Sequence, residues 1–125
     1  HFNFGSTNWS DYSISYRMRF STGKGGTTET HIRKMGDRDY RARISSYGGV
    51  EIQLKNSTIA SGYVSTKTGE WLDIQLTASG DNIKYLVDGE VVASVIDDRL
   101  KKGSGFFAVS ANAEVCIDDI TVNKI

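Results

Sequence analysis

Residues 12–20 read Tyr-Ser-Ile-Ser-Tyr-Arg-Met-Arg-Phe, and this stretch decides the fold class. Large apolar or aromatic side chains occupy every second position, and serine or arginine occupies the positions between them. Successive side chains of a β-strand point to opposite faces, so the pattern predicts a strand with one buried face and one solvent face. Arg17 and Arg19 are predicted to lie on the solvent face.

The same alternation recurs along the chain at intervals of about ten residues, which is typical of all-β domains. Further strands are predicted at residues 40–44, 50–55, 71–77, 83–87, 91–96, 105–111 and 113–122. Asp88-Gly89 is a turn pair that favours a tight hairpin between two of them. Many short strands without a long helical pattern predict an all-β fold, an antiparallel two-sheet β-sandwich that fills residues 1–125 as a single domain.

Composition excludes several classes of protein. The 125 residues include 15 basic and 15 acidic side chains, and this balance argues against a specific nucleic-acid partner. No apolar run approaches the roughly 20 residues of a membrane helix, so no membrane span is expected. Nine basic and five acidic residues fall within residues 1–62, however, so neutrality does not exclude a local cationic surface.

Outward-facing arginines are the most informative chemical feature. Two predicted strands each carry two of them, and a fifth arginine is expected on a neighbouring strand. Strands lie about 4.8 Å apart, so such side chains can form a patch whose guanidinium groups bind carboxylate, sulfate or sugar hydroxyls. A nearby tyrosine offers a ring on which a sugar can stack. The predicted ligand-binding residues are Arg17, Arg19, Arg33, Arg41, Arg43 and Tyr47. The alternative is a solvated sheet face whose arginines pair with acids such as Glu51 and Asp73.

The second half of the chain carries an ordered set of motifs: Trp71-Leu72-Asp73-Ile74-Gln75-Leu76, then Ile83 to Gly89, then Ile117-Asp118-Asp119-Ile120. This order resembles the concanavalin A-like (laminin-G-like) jelly-roll domains of bacterial polysaccharide-degrading enzymes. Residues 9–15 and 32–55 fit the same pattern, so the resemblance spans nearly the whole chain. It implies two packed sheets, one of them concave, and in many members that sheet carries a sugar site.

The resemblance has further implications for metal, location and partners. Family members often hold a structural calcium ion, and the matching position here is Asp118; the alternative is that Asp118 and Asp119 are solvated or cap a turn. The expected protein is bacterial and extracellular, secreted or at the cell surface. We expect a monomeric domain within a larger multidomain enzyme, with a polysaccharide or oligosaccharide as its partner.

Enzymatic sites are poorly supported. The Glu-x-Asp-x-x-Glu strand of sandwich glucanases is missing, and the motifs that would surround a lyase histidine and tyrosine are missing around His31 and Tyr40. His1 and His31 could together bind copper, as in oxidative polysaccharide monooxygenases; alternatively His1 is simply where this sequence begins. The prediction is a non-catalytic carbohydrate-binding module that keeps an attached enzyme near its polymer. A structural or adhesion sandwich without glycan binding, and a small polysaccharide hydrolase or lyase, are the alternatives.

Overall fold

The computed structural model describes residues 2–21, 25–109 and 114–125, and these residues form eleven β-strands. The strands are β1 (Phe2–Phe4), β2 (Tyr12–Phe20), β3 (Thr27–Met35), β4 (Arg38–Ser45), β5 (Gly49–Leu54), β6 (Ser57–Tyr63), β7 (Leu72–Ser79), β8 (Asn82–Val87), β9 (Glu90–Ile96), β10 (Ser104–Val109) and β11 (Val115–Lys124). No helix in the described ranges is long and apolar enough to cross a membrane.

The strands form two antiparallel sheets. One has six strands in the order β1-β10-β3-β4-β5-β6, and the other has five in the order β11-β2-β7-β8-β9. Asp88 and Gly89 join β8 to β9 with φ angles of 52° and 83°, the positive values that a tight hairpin turn requires. The predicted all-β fold of two antiparallel sheets is confirmed.

Alternation along the strands builds the core between the sheets. In β2 the residues Tyr12, Ile14, Tyr16, Met18 and Phe20 are each at most 4% exposed. Inward-facing positions of β4, β5, β7 and β8 are buried in the same way. Burial of this apolar surface stabilises the fold by about 25 cal/mol per Å². The polar residues between these positions are left on the two outward faces of the sandwich.

The two sheets approach each other closely where the edge strands β6 and β9 meet. A Cβ atom added to Gly62 would lie 2.1 Å from the main-chain oxygen of Val92, so only glycine permits this approach. The contact closes the sandwich where the β6 and β9 edges meet.

Candidate functional site

Strand register groups the polar side chains on the outward face of the six-stranded sheet. The alternation places Arg41 and Arg43 on this face, because Tyr40, Ala42 and Ile44 between and beside them point into the core. Two rows of paired residues run across the sheet, namely Phe106–His31–Arg41–Gln53–Thr58 and Glu29–Arg43–Glu51–Ser61. Beside them the pairs Thr27–Ser45 and Gly49–Tyr63 are joined by a hydrogen bond from Gly49 N to Ser45 Oγ at 3.2 Å. The rows bring together residues from β10, β3, β4, β5 and β6.

Five charged or titratable side chains form a continuous network on β3 and β4. Arg41 Nε donates to Asp39 Oδ1 at 3.3 Å, and Asp39 Oδ2 lies 2.8 Å from His31 Nδ1. His31 Nε2 lies 3.1 Å from Glu29 Oε1, and Glu29 Oε2 lies 2.9 Å from Arg43 Nε. We call these five residues the β3–β4 network. Each acid lies between two nitrogen-bearing side chains, so the network fixes the positions of both arginines.

His31 is the centre of this network. Its side chain is 5% exposed, and its ring stacks on Phe106 with a centroid distance of 4.1 Å and an angle of 12° between the planes. Both ring nitrogens face carboxylates, and only the imidazolium form carries a hydrogen on each nitrogen. Burial raises the pKa of the Asp39 carboxyl. The hydrogen bond and the charge of His31, together with the charge of Arg41, lower this pKa by more than burial raises it, so the net shift is downward. Asp39 is therefore held as a carboxylate.

A cavity of about 340 Å³ opens beside this network, between β3, β4, β5 and β6. Its polar lining residues are Thr27, Arg43, Ser45, Glu51 and Ser61. Although Arg43 Nε lies close to Glu29, the direction of its N–H bond does not meet hydrogen-bond geometry, and within the described residues this buried nitrogen has no hydrogen-bond partner. One guanidinium, one carboxylate and three hydroxyl groups thus border the same space. We call it the β4–β6 cavity.

Two exposed tyrosines lie near one end of the β4–β6 cavity. Tyr63 is 70% exposed and pairs with Gly49, which lines the cavity. Tyr47 is 76% exposed and lies in the turn between β4 and β5. Gly48 has a φ of 95°, and a Cβ there would meet the Tyr63 ring at 2.8 Å, so the turn and Tyr63 pack closely. A ligand role for Tyr47 stays a prediction, and Tyr63 is a second aromatic surface beside the same cavity.

The prediction that all five arginines share one face is wrong. Arg17 and Arg19 lie on β2, in the five-stranded sheet, so their outward face is on the opposite side of the sandwich from Arg41 and Arg43. Their guanidinium carbons lie 4.7 and 4.9 Å from the centroid of the Trp71 ring. Alternation assigns a side chain to an outward face, but a sandwich has two such faces.

Arg33 does not reach either outward face, which corrects the prediction that it borders the sugar. Its side chain is 1% exposed, and its φ of 50° lies where the β3–β4 register shifts. Arg33 donates from Nε to the main-chain oxygen of Ser10 at 2.8 Å, from Nη1 to that of Leu100 at 3.3 Å and from Nη2 to Asp11 Oδ1 at 3.1 Å. Its role is to tie the segment before β2 to the segment before β10.

Asp118 lies on β11, where its Oδ1 accepts a hydrogen bond from the main-chain nitrogen of Asp119 at 2.9 Å. Arg17 is 3.8 Å from both Asp119 and Asp73, so a guanidinium occupies the space between these acids. Calcium takes six to eight oxygen ligands, and across the described ranges no three His, Cys, Asp or Glu side chains are grouped as metal ligands. These residues supply only part of a ligand set, and calcium at Asp118 stays a prediction.

The copper interpretation required His1 and His31. His1 lies outside the described residues. Both ring nitrogens of His31 are already within hydrogen-bond distance of carboxylates, so this side chain presents no free imidazole nitrogen to a metal. The described half of that site therefore does not fit copper.

Solved structures share this architecture at low sequence identity. Carbohydrate-binding module CBM66 from Bacillus subtilis superposes with a TM-score of 0.78 at 18% identity, covering 90% of this chain and 74% of that one. Sheep galectin-11, solved in a complex with glycerol, gives 0.73 at 11% identity, covering 98% and 96%. An alginate lyase from a Corynebacterium species gives 0.62 at 16% identity, covering 94% and 60%.

No protein-family model matches the sequence, and no curated protein matches it. The structural matches therefore establish the fold, a jelly-roll β-sandwich of two antiparallel sheets. Since the same fold occurs in a carbohydrate-binding module, a galectin and a lyase, function has to be argued from the residues of the site.

Proposed function

We propose that this protein is a non-catalytic carbohydrate-binding domain that holds a hydroxyl-rich sugar in the β4–β6 cavity. The observation that carries the proposal is Arg43, whose side chain is 35% exposed and lines the cavity beside Glu51, while its buried Nε faces Glu29 behind it. A sugar hydroxyl both donates and accepts hydrogen bonds. It can therefore accept from the guanidinium and donate to the carboxylate at the same time.

Charge balance on this face favours an uncharged sugar over an anionic one. Arg41 and Arg43 are accompanied by three acids, Glu29, Asp39 and Glu51. Even with His31 as an imidazolium ion, the positive charges only equal the negative ones. A uronate or sulfate group would meet carboxylates wherever it meets a guanidinium, so the anionic ligand considered from the sequence is the weaker candidate.

The way in which the acids are held supports binding rather than catalysis. Hydrolysis of a glycosidic bond uses a carboxylic acid with a raised pKa to protonate the leaving oxygen. The pKa of Asp39 is lowered instead, since His31 and Arg41 outweigh its burial. Glu29 is engaged by His31 and Arg43, and within the described residues Glu51 is contacted by the Gln53 amide and has no ion pair with a basic side chain.

Similarity of fold to a carbohydrate-binding module and to galectins supports the proposal. In a secreted or cell-surface bacterial protein, such a domain would keep an attached catalytic domain close to its polymer and raise the effective concentration of substrate. An adhesion or spacer domain remains the second candidate, and it predicts that no saccharide contacts this face.

Nuclear magnetic resonance tests the proposal at the proposed surface itself. The ¹⁵N-labelled protein is titrated with neutral gluco-, manno-, galacto- and xylo-hexaoses, and a dissociation constant is read from the amide shifts of Thr27, Ser45 and Glu51. A hydrogen bond to a charged group contributes about 1.5–3 kcal/mol, so Arg43→Ala is expected to weaken binding about 10-fold to 100-fold.

Arg38→Ala is the matched control, because Arg38 is an exposed arginine of the same strand that does not line the cavity. Its affinity should equal that of the unmodified protein. Equal affinities for Arg43→Ala and Arg38→Ala would contradict the proposal, as would saccharide binding that leaves the amides of the β4–β6 cavity unshifted.

A further inference from the structure

A second cavity, of about 270 Å³, opens on the outward face of the five-stranded sheet. It lies between β2, β7 and β11, on the opposite side of the sandwich from the β4–β6 cavity. Its polar lining residues are Ser15, Arg17, Asp73, Gln75 and Asp119. We call it the β2–β7 cavity.

Arg17 forms ion pairs, but no direct hydrogen bonds, with its two acidic neighbours at this cavity. Its Nε lies 3.8 Å from Asp73 Oδ1 and its Nη1 lies 3.8 Å from Asp119 Oδ2. These are ion-pair distances, longer than the 2.7–3.2 Å of a hydrogen bond. The guanidinium also stacks on the ring of Trp71, with 4.7 Å from its carbon to the ring centroid. Charge and stacking thus position the group while its N–H donors stay available.

Arg19 extends the same surface. Its guanidinium carbon lies 4.9 Å from the Trp71 centroid, and its buried Nε has no hydrogen-bond partner among the residues that the structure describes. Buried donors of this kind are usually satisfied by protein, water or ligand. Two arginines thus stack around one indole ring beside the β2–β7 cavity.

The donor and acceptor set of this cavity matches that of the β4–β6 cavity. Each combines a guanidinium, at least one carboxylate and a hydroxyl side chain, and the β2–β7 cavity adds the amide of Gln75. Asp73 and Asp119 balance the charges of Arg17 and Arg19, so this surface offers an anionic ligand no net positive charge. Uncharged polyols fit, because each hydroxyl can accept from the guanidinium or amide and donate to a carboxylate.

We propose that the β2–β7 cavity is a second carbohydrate-binding site, so that the domain binds one neutral saccharide on each outward face. Packed sheets lie about 10 Å apart, and the two sites face in opposite directions, so one sugar unit cannot occupy both. A two-sided domain can join two polymer chains or two segments of one chain. The proposal goes beyond the function argued for the β4–β6 cavity and stands on different residues.

Trp71 provides a fluorescence signal specific to this second site. The chain has two tryptophans, and Trp9→Phe leaves Trp71 as the sole tryptophan, whose emission is excited selectively over that of the tyrosines. In that background, titration with the same four neutral hexaoses is expected to change the emission saturably. The change should survive Arg43→Ala, and its midpoint should rise at least 10-fold in Asp73→Asn and in Gln75→Ala.

Lys84→Ala is the control, since Lys84 is exposed on β8 of the same sheet and does not line the cavity. Far-ultraviolet circular dichroism of each variant verifies the fold. Trp71 emission unchanged by hexaoses that shift the amides of the β4–β6 cavity would overturn the second site and leave the first intact. A Trp71 response without those amide shifts would overturn the first site and support the second. No response at either surface would overturn both.

Discussion

Replacing His31 by phenylalanine removes both nitrogens from the centre of the β3–β4 network while keeping an aromatic ring that can stack on Phe106. Asp39 then loses its contact at 2.8 Å and retains only Arg41 at 3.3 Å. Glu29 loses its contact at 3.1 Å and retains Arg43. The variant therefore tests whether the two imidazole contacts with the acids stabilise the fold, or whether an aromatic ring at this position is sufficient.

The expected cost follows from the exposure of the two acids. The side chain of Asp39 is 7% exposed and that of Glu29 is 25% exposed. Leaving a buried acceptor without its hydrogen-bond partner costs about 1–3 kcal/mol, and more for a charged group. Because two contacts are lost while Asp39 keeps Arg41 and Glu29 is partly solvated, we expect about 3 kcal/mol in total. Domains of this kind have a free energy of unfolding of about 5–15 kcal/mol, so the loss is large.

Urea unfolding at pH 7, followed by tryptophan fluorescence, measures this loss as a lower midpoint at an unchanged slope. Adding Asp39→Asn to His31→Phe removes the buried carboxylate that has lost its His31 contact, and the double variant should be more stable than His31→Phe alone. The reasoning is refuted if His31→Phe unfolds within about 0.5 kcal/mol of the unmodified protein, the range of ordinary surface substitutions. It is also refuted if Asp39→Asn gives no recovery.

Three further predictions concern stability. Hydrogen bonds from Arg99 outweigh burial and lower the pKa of Asp97 to about 2, whereas the pKa of an aspartate in the unfolded chain is about 3.9. The ionised carboxylate therefore stabilises the folded protein fully above about pH 4, and this contribution is lost as the pH falls through about 2. Between about pH 4 and pH 2 the free energy of unfolding should therefore fall less steeply in Asp97→Asn than in the unmodified protein. Equal slopes would contradict the lowered pKa of Asp97. Gly62→Ala should lower the free energy of unfolding by about 1–3 kcal/mol, because the added Cβ would meet a main-chain carbonyl oxygen of β9. Gly49→Ala is the control: its Cβ would lie 3.5 Å from its nearest neighbour, so this variant should unfold in urea nearly as the unmodified protein does. Arg33→Met leaves buried carbonyl oxygens unpaired and should lower the free energy of unfolding by about 2–3 kcal/mol without changing saccharide affinity. A loss of affinity without a loss of stability would restore Arg33 to the binding surface.

The fold was predictable where alternation is clean. Residues 12–20 form β2 as the pattern indicates, and Asp88-Gly89 forms the expected hairpin turn. Strand β3 is different, because threonines occupy both of its faces. Thr30 is fully buried and its hydroxyl pairs with that of Tyr16 at 2.8 Å, so a polar residue fills a core position and hides the alternation.

The candidate site was predictable only in part. Alternation predicts that Arg41 and Arg43 lie on an outward face, but it does not show which of the two sheets each strand joins. It therefore does not separate the face that carries Arg17 from the face that carries Arg41 and Arg43. The irregular register after Ile32 turned Arg33 inward, which no periodicity reveals. The acids of the β3–β4 network come from different strands, so their approach to one histidine depends on cross-strand register.

A crystal structure of the protein with a bound neutral hexaose tests the central claim most directly. We expect a sugar hydroxyl within about 3 Å of Arg43 and a second one at the carboxylate of Glu51, with the β3–β4 network unchanged behind them. A saccharide bound at loops or strand edges, with solvent alone in the β4–β6 cavity, would contradict the account.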